Sequence, residues 1–185
     1  MPSNIIGAEG IIRDARSRYR QRAEGGAHGA FEAETKRAGQ TPRAEVEVSR
    51  GSAPDEIAPL LGGQPTEGVV IRRRRMYASE RLVQLADTYI PASVAEAAPA
   101  VSQLDSGEGG IISRMAEAGF AQATVVEDVT QVQASAEQAA ALGVSEGEAL
   151  LAITHVGQTD SGQVVEVTQH VLGPGWTLRY GVPLD

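Results

Sequence analysis

Apolar and polar residues alternate over several stretches of this chain, as they do along half-buried β-strands. The clearest stretch, residues 69–91, reads VVIRRRRMYASERLVQLADTYIP and holds two runs rich in Val, Ile, Tyr and Thr. A tight turn at residues 78–81 joins the two runs, and Pro91 ends the second, so the pattern predicts a β-hairpin. Further strands are predicted at residues 44–50, 121–133, 149–158, 163–172 and 176–180.

Apolar residues at helical spacing predict short helices between these strands. The helices cover residues 7–24, 31–37, 53–61, 92–98, 111–118 and 135–142. The first carries its arginines on the face opposite Ile11 and Tyr19, which indicates either a solvated or packed arginine face or a linker helix from an upstream domain. Tight hairpins and single short helices between strands are typical of antiparallel sheets. The sequence therefore predicts an α+β fold, a mainly antiparallel sheet of about six strands flanked by helices.

Four consecutive arginines, Arg72 to Arg75, lie within the first strand of the hairpin. Because successive side chains of a strand point to opposite faces, two of these arginines must point each way. One pair then lies near the protein body, where a guanidinium needs an anionic or hydrogen-bonding partner. Either the protein or a ligand supplies that partner.

Composition and charge exclude several classes of protein. Apolar residues make up 42% of the chain but aromatic residues only 4%, so the core is expected to consist of Val, Ile, Leu and Ala. Residues 1–81 carry a charge of +3 and residues 82–185 a charge of −11, which disfavours nucleic-acid binding by the chain as a whole. No apolar run is long enough to cross a bilayer. The absence of cysteine favours a reducing cytoplasm.

Standard catalytic motifs are missing from the sequence. It contains no G-x-S-x-G, no phosphate-binding loop and no H-E-x-x-H, and its glycine pairs lack the context of a dinucleotide site. His28, His155 and His170 are too scattered to predict a metal cluster, and a structural role is favoured for the last two. We therefore expect no catalytic residues, no metal and no cofactor.

Five motifs follow one another in a recognisable order. They are RRMYA at 74–78, a second strand ending in YIP, GGIISR at 109–114, ALGVSEGEALL at 141–151 and GQVVEVT at 162–168. Together they resemble the UTRA domain, the effector-binding half of GntR-type transcriptional regulators of the HutC subfamily. The resemblance covers about residues 31–184, which implies an effector-binding domain at 31–185 and an N-terminal arm or linker at 1–30.

The resemblance implies a chorismate-lyase-like fold with a pocket for a small-molecule effector, no enzymatic activity, and homodimerisation through this domain. It also implies that DNA is contacted only through a winged helix-turn-helix, which the residues before Phe31 are too few to hold. Two other functions stay open: a chorismate-lyase-like enzyme, and a dimerisation partner of full-length regulators.

The hairpin register decides which side chains face the pocket. A three-residue turn at 79–81 puts Arg72, Arg74 and Met76 on one face with Gln84, Ala86 and Thr88, and it pairs Arg73 with Asp87; a two-residue turn would change this match. The resemblance places the position of Arg74 in the pocket and that of Glu166 against ligand hydroxyl or amine groups. An internal salt bridge between Arg74 and Glu166 is the alternative. The candidate ligand-binding residues are Arg72, Arg74, Met76, Gln84, Thr88, Gly110, Glu166, Thr168 and His170.

This chain also departs from sugar-phosphate-sensing members of the family. Met76 stands where they carry a second arginine, Ala86 where they carry an acid, and Gly29 and Ala30 where they carry hydroxyl residues. These differences favour a less polar ligand with one acidic or carbonyl group, an anionic group being one candidate for what Arg74 binds.

Overall fold

A computed structural model describes residues 10–21, 23–182 and 184 of the chain. The strands are β1 (Ile11–Asp14), β2 (Pro42–Gly51), β3 (Val69–Ala78), β4 (Arg81–Ile90), β5 (Thr124–Gln133), β6 (Ala149–Gln158), β7 (Val164–Leu172) and β8 (Trp176–Arg179). The helices are α1 (Ala15–Arg18), α2 (Ala30–Arg37), α3 (Ala92–Ala97), α4 (Gly110–Glu117) and α5 (Ala136–Leu142). Short 3-10 turns lie at Glu24–Gly26, Ala58–Leu61 and Pro99–Ser102.

Six of these strands form one antiparallel sheet in the order β2-β3-β4-β7-β6-β5. The predicted α+β fold with about six antiparallel strands is therefore confirmed. None of the helices within the described ranges is long and apolar enough to cross a membrane.

The hairpin β3–β4 combines a two-residue turn with a β-bulge. Ala78 pairs with Arg81, so the turn is shorter than expected, and the bulge after Met76 takes up one extra residue. Beyond the bulge the register is the expected one, with Arg73 opposite Asp87. The three-residue turn would also place Val83 on the face opposite Met76, and this prediction is wrong, because the bulge puts Val83 in the same cluster as Met76.

The face of the sheet that carries Met76 is covered at both ends by hydrophobic clusters. At one end, Val70 and Ile90 pack against Val94 of α3 and Met115 of α4. At the other end Met76, Val83 and Ala86 pack against Ile11 of β1 and Phe31 of α2. The opposite face of the sheet packs against the turn at 58–61 and against α5.

Between the two clusters, one row of paired residues crosses all six strands and is almost entirely polar. Its members, in sheet order, are Val48, Arg72, Thr88, Thr168, His155 and Glu127. Side chains at paired positions of adjacent strands share a face and lie about 5 Å apart, so hydrogen bonds can run along such a row.

The N-terminal segment departs from the predicted helix at 7–24. Residues 11–14 form β1, which pairs in parallel with β8, and only residues 15–18 are α-helical. Two β-branched isoleucines favour the strand, and Asp14 begins α1 by accepting hydrogen bonds from the backbone N–H groups of Arg16 and Ser17. Arg13 is buried, so the arginines do not share one solvated face. Residues 7–9 and 22 of the predicted helix lie outside the described residues.

Candidate functional site

A cavity of about 330 Å³ opens between the polar row of the sheet, α2, the loop after residue 103 and the first turn of α4. Eight of the nine predicted ligand-binding residues line it: Arg72, Arg74, Met76, Gln84, Gly110, Glu166, Thr168 and His170. The ninth, Thr88, lies beneath it and contacts Thr168 through its hydroxyl group at 2.7 Å. The structure thus brings together side chains from β3, β4, β7 and α4 around one enclosed space.

Arg74 is a partly buried cation with no carboxylate within 4 Å among the described residues. Its Nη2 donates a hydrogen bond to Thr88 Oγ1, whereas its Nε has no partner among the described residues. Burial lowers the pKa of Arg74 to about 10, and the charge of Glu166 offsets only part of this effect. Arg74 therefore remains charged at neutral pH, with hydrogen-bonding capacity left unused at the cavity.

Arg72, by contrast, is held by the protein backbone. Its guanidinium donates to the carbonyl oxygens of Val101 (2.7 Å), Gln103 and Leu104 (3.1 Å). Burial lowers its pKa, and the nearby Asp105 opposes that shift. Although Arg72 lines the cavity, these contacts give it a structural role in fastening the loop that leads into α4.

Glu166 is paired with His155, and the alternative salt bridge to Arg74 is not formed within 4 Å among the described residues. Its Oε1 lies 3.2 Å from His155 Nε2 and accepts a hydrogen bond of 2.7 Å from Gln122. His155 Nδ1 lies 3.2 Å from Glu127 Oε1. Burial opposes the charged form of His155, but the hydrogen bonds to both carboxylates raise its pKa above the ordinary value. Each ring nitrogen of His155 therefore faces a carboxylate, an arrangement that favours the imidazolium form.

The N-terminal segment completes this network. Arg13 forms a buried ion pair with Glu127, and the Tyr19 hydroxyl donates to the same Glu127 oxygen at 2.5 Å. The Tyr19 ring also stacks on His155, with ring centroids 5.8 Å apart. Despite burial, the hydrogen bond from His155 and the charge of Arg13 lower the pKa of Glu127 to about 2. Contacts with Glu127 of the outer strand β5 thus attach residues 13–19 to the end of the polar row.

Residues of the site and its network that sequence reasoning missed include Arg18, Tyr19, Glu127 and His155. Strand alternation offered a signal for His155, because it lies on the same face as Ile153 in β6. No comparable signal existed for Arg18 and Tyr19. The docking of their segment depends on contacts with residues more than 100 positions away.

A third polar group occupies the part of the cavity next to Met76. Gln84 is fully buried, and its Nε2 lies 3.0 Å from Met76 Sδ and 3.0 Å from His170 Nδ1. Burial and the charges of Arg13, Arg18 and Arg74 lower the pKa of His170 well below its ordinary value, so this ring is neutral.

Two glycines let the start of α4 approach the cavity wall. Gly109 and Gly110 have φ values of +77° and +69°, which glycine adopts without steric cost. A Cβ at Gly110 would lie 2.7 Å from the carbonyl oxygen of His28, and the Gly109 N–H donates to the carbonyl oxygen of Ala27 at 2.9 Å. The segment before α2 and the first turn of α4 are therefore in close backbone contact, and both line the cavity.

Comparisons with solved structures identify the fold. The chain superposes on a crystal structure described as that of a candidate GntR-family transcriptional regulator, with a TM-score of 0.76 and 22% identity over 87% of this chain and 66% of that one. PhnF from Mycobacterium smegmatis gives 0.75 and 16% identity over 95% of this chain and 73% of that one. The effector domain of PhnF gives 0.69 and 17% identity over 83% and 94%. At these identities the likeness establishes the fold, and the expected chorismate-lyase-like architecture is confirmed.

This chain spans slightly less than two thirds of the first of those proteins. No curated protein sequence is similar enough to this chain to count as a match. The model of one family, the UTRA domain, matches residues 37–173, well over half of the sequence. The chain therefore belongs to the UTRA domain family, whose members are the effector-binding domains of GntR-family transcriptional regulators.

Proposed function

We propose that this chain is the effector-sensing and dimerisation part of a HutC-type GntR regulator, and that it binds a small anionic metabolite in the cavity above the polar row. The observation that carries the proposal is Arg74, a charged and partly buried guanidinium that borders the cavity without a carboxylate partner among the described residues and whose buried Nε has no hydrogen-bond partner. The site residues remain those predicted from the sequence, with Arg74 as the principal contact and Arg72 as a support for the loop.

The charges around the cavity support an anionic ligand. Arg13 pairs with Glu127 and Arg18 with Glu34. The imidazolium of His155 is matched by Glu166. Arg72 and Arg74 are the cations left over. Backbone carbonyls bind both Nη groups of Arg72, whereas Arg74 donates to the Thr88 hydroxyl, and the Nε of each has no partner among the described residues. An anion of the ligand would satisfy the charge of Arg74 through charge-assisted hydrogen bonds.

The N-terminal segment supports a signalling role. Arg18 and Tyr19 line the same cavity as Arg74, so a ligand would touch the part of the chain that leads toward its N-terminus. In the proposed regulator, residues 1–30 connect the effector domain at 31–185 to a winged helix-turn-helix that contacts DNA. Homodimerisation and a cytoplasmic location belong to the same proposal and rest on family membership.

The test is a thermal-shift screen of metabolites with the wild-type chain and two matched variants. Arg74→Met removes the cavity cation, and Arg73→Met removes its exposed neighbour on the other face of β3. We expect the ligand to raise the melting temperature of the wild type and of Arg73→Met, but not that of Arg74→Met. If no anionic metabolite stabilises the wild type, or if both variants respond equally, the proposed function is wrong.

A further inference from the structure

The cavity contains a second polar group that the protein leaves unsatisfied. Gln84 Oε1 is buried and has no hydrogen-bond partner among the described residues, although the side chain lines the cavity. Gln84 lies two residues from Ala86, the cross-strand partner of Arg74, so the two side chains project from the same face. Positions in this diagonal relationship are about 7–8 Å apart. The cavity therefore offers a free donor group and a free acceptor within reach of one small molecule.

The orientation of the Gln84 amide follows from its two neighbours. A thioether sulfur can only accept, so the side of the amide that faces Met76 Sδ must be the NH₂ group. The same NH₂ group donates to Nδ1 of His170, which accepts because the ring is neutral. Turning the amide around would set its carbonyl oxygen against the sulfur lone pairs. The Gln84 atom without a partner among the described residues is thus the carbonyl oxygen Oε1, a hydrogen-bond acceptor.

We propose that Gln84 determines the chemical class of the effector, a hydroxy-carboxylate whose carboxylate binds Arg74 and whose hydroxyl group donates to Gln84 Oε1. This inference rests on the proposed function, because it assigns a second contact within the same site. A ligand hydroxyl is a suitable partner for this carbonyl oxygen, because a buried acceptor without a hydrogen bond costs free energy.

The surrounding charges select a hydroxyl rather than an ammonium donor. Burial and then the charges of Arg13, Arg18 and Arg74 lower the pKa of His170, so the positive potential of these arginines reaches this part of the cavity. The same potential would oppose a second cation brought by a ligand. A neutral donor meets no such opposition.

The number of positive charges available at the cavity favours a carboxylate over a phosphate dianion. Arg74 offers one positive charge, and the donors of Arg72 already bind the carbonyl oxygens of Val101 and Leu104. Met76 adds no charge beside them. A dianion would keep one buried charge unmatched, which is costly in an enclosed site.

The experiment compares matched acids by isothermal titration with the wild-type chain. The probes are 5-hydroxypentanoate, pentanoate and 5-aminopentanoate, together with their four- and six-carbon homologues. We expect at least one hydroxy acid to bind about tenfold more tightly than the plain acid of equal length, the difference made by one hydrogen bond to a buried group. The amino acids should bind no better than the plain acids.

Two variants test whether Gln84 causes the preference for a hydroxy acid. Gln84→Leu removes the acceptor, so the hydroxy acid should bind as weakly as the plain acid. The melting temperature of Gln84→Leu should change little, because the substitution removes an unpaired buried carbonyl but also the hydrogen bond from the NH₂ group to His170. Gln169→Leu makes the same change at the residue next to His170 but on the other face of the sheet, and it should keep the full preference.

The outcomes separate this inference from the proposed function. Equal binding of hydroxy and plain acids, tighter binding of an amino acid, or a preference that survives in Gln84→Leu would overturn the role of Gln84 and leave the effector-binding function in place. The same holds if no hydroxy acid binds while another metabolite binds in an Arg74-dependent way. If neither the acids nor any screened metabolite binds, the proposed function itself fails.

Discussion

Arg13 and Glu127 form an ion pair that is buried on both sides, although 114 residues separate them in the sequence. The pair joins β1 to β5, the outer strand of the six-stranded sheet. Glu127 also accepts hydrogen bonds from Tyr19 and His155, so the N-terminal segment, the edge of the sheet and the cavity share one carboxylate.

Replacing Arg13 should destabilise the domain. Arg13→Met leaves Glu127 buried with fewer partners, and we expect a loss of about 3 kcal/mol in the free energy of unfolding, measured by chemical denaturation. Arg16→Met is the matched control, since Arg16 is exposed on the same segment. Equal effects of the two substitutions would show that the pair contributes no net stability.

The unfolding free energy should fall as the pH rises above neutrality. The pKa of His155 is raised in the folded state, so its stabilisation is complete below the ordinary value of 6.5 and is lost as the pH rises through the raised pKa. His170, whose folded pKa is lowered, reduces stability only below 6.5 and does not affect this window. Glu127, with a pKa of about 2, adds stability that is lost only as the pH falls from 4.5 toward 2.

Denaturation curves of the wild type and His155→Gln between pH 6.5 and 9 measure this slope. We expect the wild type to lose stability across the range and His155→Gln to change much less. His28→Gln serves as the control, because His28 is half exposed. A slope that persists unchanged in His155→Gln would contradict the assignment.

Arg72 should control the loop that leads into α4. Arg72→Lys keeps the charge but cannot supply the fork of donors that binds the backbone of residues 101–104, and we expect a loss of about 2–3 kcal/mol. Hydrogen exchange of the amides at 101–110 should accelerate. Arg75→Lys, on the exposed face of β3, should change neither quantity.

Replacing Arg74 should leave the ligand-free domain as stable as before or more stable. Arg74→Met substitutes an apolar side chain for a partly buried cation without a carboxylate partner among the described residues, and we expect a change between zero and a gain of about 1 kcal/mol by chemical denaturation. A large loss of stability would instead assign Arg74 a structural role.

Gly110 should tolerate no side chain. Gly110→Ala forces a residue with φ of +69° to place its Cβ 2.7 Å from the His28 carbonyl oxygen, and we expect a loss of about 1–3 kcal/mol and weaker ligand binding. Gly107 has a similar φ of +77°, but a Cβ added there would meet only a side-chain atom, at 3.8 Å. The cost of Gly107→Ala should be about 1 kcal/mol, so the difference between the two variants isolates the backbone clash.

The period-two pattern of the sequence was enough to predict the hairpin, the sheet and the division of the four arginines between two faces. Arg72 and Arg74 are enclosed and Arg73 and Arg75 exposed, because alternation is a local property of any extended strand. Arg73 lies 3.8 Å from Asp87, as the register predicted. Strand alternation together with the family resemblance selected nine candidate residues, and eight of them line one cavity.

What alternation could not predict is the partner of each enclosed side chain. Arg72 donates to backbone carbonyls, Glu166 pairs with a histidine, and Arg74 donates to a threonine. These contacts depend on loops and strands that are far away in the sequence. The helical spacing at 7–24 favoured a helix, yet residues 11–14 form a strand. This segment contacts β8 and Glu127, which are far away in the sequence, so local propensity could not predict these partners. The sequence by itself determined the faces of the sheet, and only the tertiary structure decided which partner each enclosed charge has, because those partners lie far away along the chain.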